Sequence, residues 1–149
     1  GAGANYGTAL ESALKIGETI HIPSCCYEIE EYIHGPNLQL TPQYNVIFFD
    51  GNDGASRRVE QVYKATRKVS NRAYLISNNP QLSSDDHVLS LSDTVSSELC
   101  PLVYLPFVQL LSFIVSNDLH SIYQHPLLKE FKAIAAAKTE NFVNYDGDD

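Results

Sequence analysis

Three charged side chains, Glu11, Lys15 and Glu18, follow one another at i, i+4 and i+7 spacing, so on a helix they project from a single stripe. Two chemistries fit that stripe. One is a solvated helix face on which Glu11 and Lys15 form an ordinary i,i+4 pair. The other is a carboxylate base with a cation close enough to keep it ionised, as proton abstraction next to a carbonyl requires. His34 is the second candidate: it lies between the acidic run Glu28, Glu30, Glu31 and the turn Gly35-Pro36, which would hold an imidazole in a fixed direction. A lone histidine is as compatible with a structural role, and the acidic run with a solvated face.

Other chemistries have little support. His21, His87, His120 and His125 stand at no H-x-x-x-H or similar ligand spacing, so no metal is expected. Gly1-x-Gly3 with Asp50 after the next strand resembles a dinucleotide fingerprint poorly. The third glycine, Gly7, is one place late, and the acidic residue follows more than about 40 residues on instead of about 20. No cofactor is expected.

The elements that must position these residues follow from the pattern. The loop Gly1–Gly7 runs into a helix in which Tyr6, Ala9, Leu10, Ala13, Leu14, Gly17 and Ile20 form the expected buried face. Pro23 breaks that helix, and a short acidic helix from Tyr27 to Ile33 ends at His34-Gly35-Pro36. Val46–Phe49 reads as a strand stopped by Asp50-Gly51-Asn52-Asp53-Gly54. A helix is expected from Ala55 to Ser70, with Val59, Val62, Tyr63 and Val69 inward. Strands follow at Ala73–Ile76 and His87–Leu91, then a helix-rich segment from Val95 to Leu119. Strands alternating with helices argue for an α/β fold: a doubly wound parallel sheet with helices on both faces.

The 149 residues suit one domain, and 44% hydrophobic with 19% charged residues is ordinary globular composition. The formal charge of -8 opposes nucleic acid and anionic lipid as partners. The apolar stretch Leu99–Val115 falls short of a span of about 20 residues and is interrupted by Pro101 and Pro106, so no membrane is expected. Cys25, Cys26 and Cys100 make no disulfide framework, and no leader opens the chain; both suit a reduced, cytoplasmic setting.

The run Ala9-Leu10-Glu11-x-Ala13-Leu14-Lys15-x-x-Glu18, preceded by Gly1-x-Gly3 and followed by Glu31-x-x-His34-Gly35-Pro36 and Val46–Phe49, resembles the SIS (sugar isomerase) domains. The likeness is to the second, C-terminal SIS domain of glucosamine-6-phosphate synthase and its relatives, and it spans about residues 1–118. Tyr27–Pro36 resembles the fructosamine 6-phosphate deglycases more than the synthases. The resemblance implies a flavodoxin-like fold and a phosphorylated sugar or sugar–amino acid adduct as substrate. It also implies a homodimer or higher homo-oligomer.

It further implies that Glu18 moves a proton between C1 and C2, with Lys15 and Glu11 as polar neighbours, and that His34 assists ring opening from the neighbouring subunit. Gly3, Glu11 and Glu31 would contact substrate. The family's C-terminal catalytic lysine is approached by Ala136-Ala137-Lys138-Thr139, which makes Lys138 a fourth catalytic candidate. No Ser/Thr-rich phosphate loop occurs here, so the anion site is expected in a first SIS domain. The apolar strand that the glycine-rich loop Gly1–Gly7 requires is not found ahead of Gly1. Residues 1–125 are therefore expected to form the second of two SIS domains with its first strand upstream, and 126–149 a C-terminal tail. The rival from another class is a noncatalytic phosphosugar-binding SIS module.

Overall fold

A computed structural model describes residues 1–91, 95–121 and 134. Its elements are α1 (Asn5–Ile20), α2 (Ile29–Ile33), β1 (Val46–Asp50), α3 (Ser56–Arg67), β2 (Ala73–Ser77), β3 (Val88–Ser90) and α4 (Cys100–Asp118), with 3-10 turns at Pro36–Gln39 and Pro80–Leu82. The strands are parallel in the order β1-β2-β3, with Val46 opposite Ala73, Asp50 opposite Ser77 and Leu75 opposite Val88.

The apolar runs of β1 and β2 are explained by burial on both faces. Phe48 and Leu75 point to one side, against Val59, Val62 and Tyr63 of α3 and Ile29 of α2. Phe49 and Ile76 point to the other, against Ala9 of α1 and Cys100, Tyr104 and Val108 of α4. Edge-to-face contacts order the first layer: the Phe48 ring lies 5.8 Å from that of Tyr32 and 6.0 Å from that of Tyr63. The α/β class with helices on both faces is the observed one.

Local chemistry sets the helix ends. Glu28 caps α2 reciprocally: its carboxylate accepts from Glu30 N, and its own N–H donates to Glu31 Oε2 at 3.3 Å. That cap starts α2 at Ile29, two residues later than the expected Tyr27. Lys64 and Arg67 in the last turn of α3 complement its dipole. Helix α3 stops at Arg67 instead of Ser70, and Val69, expected inward, is exposed.

The largest departure is on α1. Leu10 and Leu14, expected in the core, are exposed, and the buried residues are Asn5, Thr8, Ala9, Ser12 and Ile20. These small polar residues tolerate burial because bonds within the helix satisfy most of their polar atoms. Ser12 Oγ donates to Thr8 O, and Thr8 Oγ1 to Asn5 Oδ1 at 3.3 Å. Small side chains let α4 approach, and α4 contributes its own buried stripe of Cys100, Tyr104, Val108, Ser112 and Ser116. Helix α4 also corrects the expected apolar length: its 19 residues are long and apolar enough to cross a membrane by length and composition.

At the carboxyl ends of β1 and β2 sits a buried polar cluster. Asp50 Oδ2 accepts from Ser77 Oγ at 2.7 Å, and Asp50 Oδ1 from Ser56 Oγ and from Asn52 N at 3.1 Å. Tyr104 Oη donates to the Asp50 carbonyl at 2.7 Å. Replacing Asp50 with alanine leaves Ser56 and Ser77 without their acceptor and is expected to cost about 3 kcal/mol or more. Tyr104→Phe, which removes one bond, is expected to cost about 1–2 kcal/mol. Urea denaturation of both variants measures the ratio.

Candidate active site

Helix α1 brings Glu11, Lys15 and Glu18 together. Lys15 Nζ lies 3.0 Å from Glu18 Oε2 and 3.7 Å from Glu11 Oε1, so one ammonium bridges two carboxylates. The Glu18 side chain is half exposed and that of Lys15 less so, at 30%. The hydrogen bond and charge of Glu18 raise the Lys15 ammonium above its ordinary value, more than desolvation lowers it. Lys15 is therefore a cation throughout the neutral range and no base, which leaves proton abstraction to a carboxylate.

His34 ends α2. Its Nδ1 lies 2.7 Å from the carbonyl of Glu30, one turn back. A carbonyl only accepts, so Nδ1 carries a proton, and in the neutral ring Nε2 is the nitrogen with the lone pair. Among the described residues, no hydrogen bond or ion pair joins His34 to Glu11, Lys15 or Glu18. Glu30 is held by Arg58, whose Nε lies 2.7 Å from Glu30 Oε1; that bond first, then the charge, keeps Glu30 below the usual carboxylate range. Glu31, expected at the substrate, caps α2. Lys138 lies outside the described residues, as does the tail apart from Ile134.

Gly3 takes the left-handed conformation (φ 54°), which favours glycine. A Cβ built there would lie 3.4 Å from Asp53 Oδ2, and one built on Gly51 would lie 3.1 Å from the same oxygen and 2.9 Å from Asn5 Nδ2. The glycine loop, the start of α1 and the loop after β1 are thus in close contact, with the Asp53 carboxylate among them.

A groove of about 440 Å³ runs beside β1, lined by Ala9, Ser12 and Ile16 of α1, Cys26 and Tyr27 of the following loop, and Phe49. None of Glu11, Lys15, Glu18, Glu31 or His34 lines it, so volume and candidate chemistry lie apart. Among the described residues, no three metal-ligating side chains converge.

The polar cluster around Asp50 is the arrangement sequence reasoning missed. Its signal was present: Asp50 and Ser77 each end an apolar strand, and in parallel sheets ligands and polar networks gather at carboxyl ends. What the sequence lacked was the pairing that sets Asp50 opposite Ser77.

Comparison with known proteins defines the class. No family model matches the chain. A glutamine–fructose-6-phosphate aminotransferase (isomerizing) from Methanothermobacter thermautotrophicus is 31% identical over 122 residues, which cover 79% of this chain and 20% of that protein. Among solved structures, a candidate phosphosugar isomerase from Clostridium difficile superposes with a TM-score of 0.72 at 23% identity, covering 93% of this chain and 38% of that one. The C-terminal domain of glucosamine–fructose-6-phosphate aminotransferase from Francisella tularensis gives a TM-score of 0.66 at 25% identity, covering 78% and 33%.

Parallel sheet, helices on both faces and these similarities make the chain a SIS (sugar isomerase) domain. Within that class it matches the C-terminal isomerase domain of the aminotransferases and the phosphosugar isomerases. It spans about a fifth of the length of the curated relatives it matches.

The raised Lys15 value has a testable sign. A cation whose pKa rises on folding contributes stability fully below its unfolded value, and that contribution is lost as pH rises through the folded one. The side-chain NMR titration of Lys15 should therefore have its midpoint above 10.5. Glu18→Gln should bring it down; an unmoved midpoint would remove Glu18 as the cause.

Proposed function

We propose that this SIS domain supplies the proton-transferring half of a phosphosugar isomerase site, with Glu18 as the base. The observation that carries the reading is the α1 constellation, in which Lys15 Nζ stands 3.0 Å from Glu18 Oε2. An aldose–ketose interconversion removes a proton from the carbon beside the carbonyl and returns it to the neighbouring carbon through an enediol. One positioned carboxylate can do both, carrying the proton between the two events, and a fixed cation keeps it ionised before the first.

His34 suits ring opening. With Nδ1–H donated to Glu30 O, its Nε2 is available to take the proton of the anomeric hydroxyl and hand it to the ring oxygen. His34 makes no bond to α1 in its own chain, which favours a homodimer in which it serves the partner's Glu18. The phosphate is held elsewhere in the parent protein, a reading that the charge of -8 supports.

The finer reading is deglycation. In a fructosamine 6-phosphate the same proton shift converts the ketoamine to an imine, and water then releases a free amino acid and an aldose phosphate. Tyr27–Pro36 supports this by its likeness to deglycases. The setting proposed is the cytoplasm.

In the full-length protein, Glu18→Gln keeps shape and hydrogen bonding but removes the base, so turnover should fall about 10²–10⁴-fold while sugar phosphate binding survives. Retention of more than roughly a tenth of the activity, against that loss, sinks the assignment. Mixed dimers test the shared site. Glu18→Gln and His34→Ala proteins refolded together should recover activity, because one site collects both lesions and the other none. A dead mixture with heterodimers verified by native mass spectrometry refutes sharing.

A further inference from the structure

Helix α2 has five residues, too few for a helix to hold itself together in water. It keeps its place by what it touches. Ile29 is buried in the layer of Phe48, Val59 and Val62. Two polar contacts tie it to α3. Arg58 closes on Glu30, with Nε 2.7 Å from Oε1 and Nη2 3.1 Å from Oε2, and Thr66 Oγ1 lies 3.2 Å from Tyr32 Oη.

The end of α2 converts that placement into the direction of a ring. The His34 N–H donates to the Glu31 carbonyl at 3.1 Å, a 3-10 step that releases the Glu30 carbonyl from the helical ladder. The imidazole takes that carbonyl, with Nδ1 at 2.7 Å. Glu30 thus joins two contacts: α3 grips its carboxylate, and its carbonyl holds His34.

We infer that Arg58 is a positioning residue for His34, acting through Glu30, so that α3 sets where Nε2 points. The catalytic consequence rests on the reading of His34 as the ring-opening group; the placement is a property of this chain alone. An exposed ion pair is ordinarily worth little, but two N–H···O bonds from one guanidinium fix an angle as well as a distance. Lysine, a point charge on a flexible stem, does not supply that fork. Lys64 is the natural control, because it pairs inside α3, with Glu60 at 3.2 Å.

Nitrogen NMR of the histidine rings in the 149-residue chain, at a pH where His34 is neutral, should show its proton on Nδ1. Arg58→Gln should shift the tautomer ratio toward Nε2–H by about two- to tenfold, the worth of one hydrogen bond. Arg58→Lys should restore only part of it, and Lys64→Gln should leave it unmoved. The Arg58 side chain is 42% exposed, so circular dichroism of its variants should remain that of the parent. In the full-length protein Arg58→Gln should lower kcat by a similar factor with KM unmoved, and should cost nothing further in a His34→Ala background. A tautomer ratio that Arg58→Gln leaves unchanged overturns the inference, whatever turnover does. An added loss in the His34→Ala background overturns it equally. A shifted ratio with full turnover upholds the placement and counts instead against His34 as the ring-opening group.

Discussion

A carboxylate with almost no solvent contact must find its hydrogen bonds inside the protein, and Asp50 finds them in three different segments. Ser77 ends the neighbouring strand, Ser56 opens α3, and Asn52 belongs to the turn between β1 and α3. The Asp50 carbonyl, turned the other way, takes the Tyr104 hydroxyl of α4. One residue thereby fixes where β1 stops, how it pairs with β2 and where a helix sits on each face. Burial raises the Tyr104 phenol well above its ordinary value, so it remains a donor through the neutral range.

The placement of α1 follows from the same loop. With Asp50 pinned, Gly51 lies so close to Asn5 that a side chain there would meet the Asn5 amide at 2.9 Å. The first turn of α1 is thus fixed against the end of β1, and its rotation is set. That rotation buries Thr8, Ala9 and Ser12, turns Leu10 and Leu14 outward, and places Glu11, Lys15 and Glu18 on the accessible side. The candidate base faces solvent because the small residues were chosen for the core.

This also explains what could be read from the residues alone. The strands were legible because burial on both faces demands continuous apolar runs such as Val-Ile-Phe-Phe. The Glu11–Lys15–Glu18 constellation was legible because i, i+4 geometry is local. The buried face of α1 was not: helical period offers more than one stripe, and leucines look like core until a second helix needs small neighbours. The same ambiguity hides interfaces, since an apolar residue facing a partner and one facing the core leave the same mark on a sequence. The direction of His34 depends on a four-residue return to the Glu30 carbonyl, and the Asp50 cluster on strand register. Neither is a property of residue type.

The glycine loop shows the division of labour most directly. A helix N-terminus approached by Gly-x-Gly is ordinarily a place for an anion, because free N–H groups and the helix dipole favour negative charge. Here the Asp53 carboxylate already lies against that loop, 3.4 Å from where a Gly3 side chain would begin. Asp53 is held there by its own turn, accepting from Ala55 N at 2.8 Å while its N–H donates to Ser56 Oγ. A phosphate brought to the same spot would meet that carboxylate, which the Ala55 N–H holds in place. The domain's negative charge and its glycine loop therefore point the same way: under the proposed function, what α1 offers a sugar phosphate is the carboxylate on its outer face, and the anion is gripped from outside this sheet.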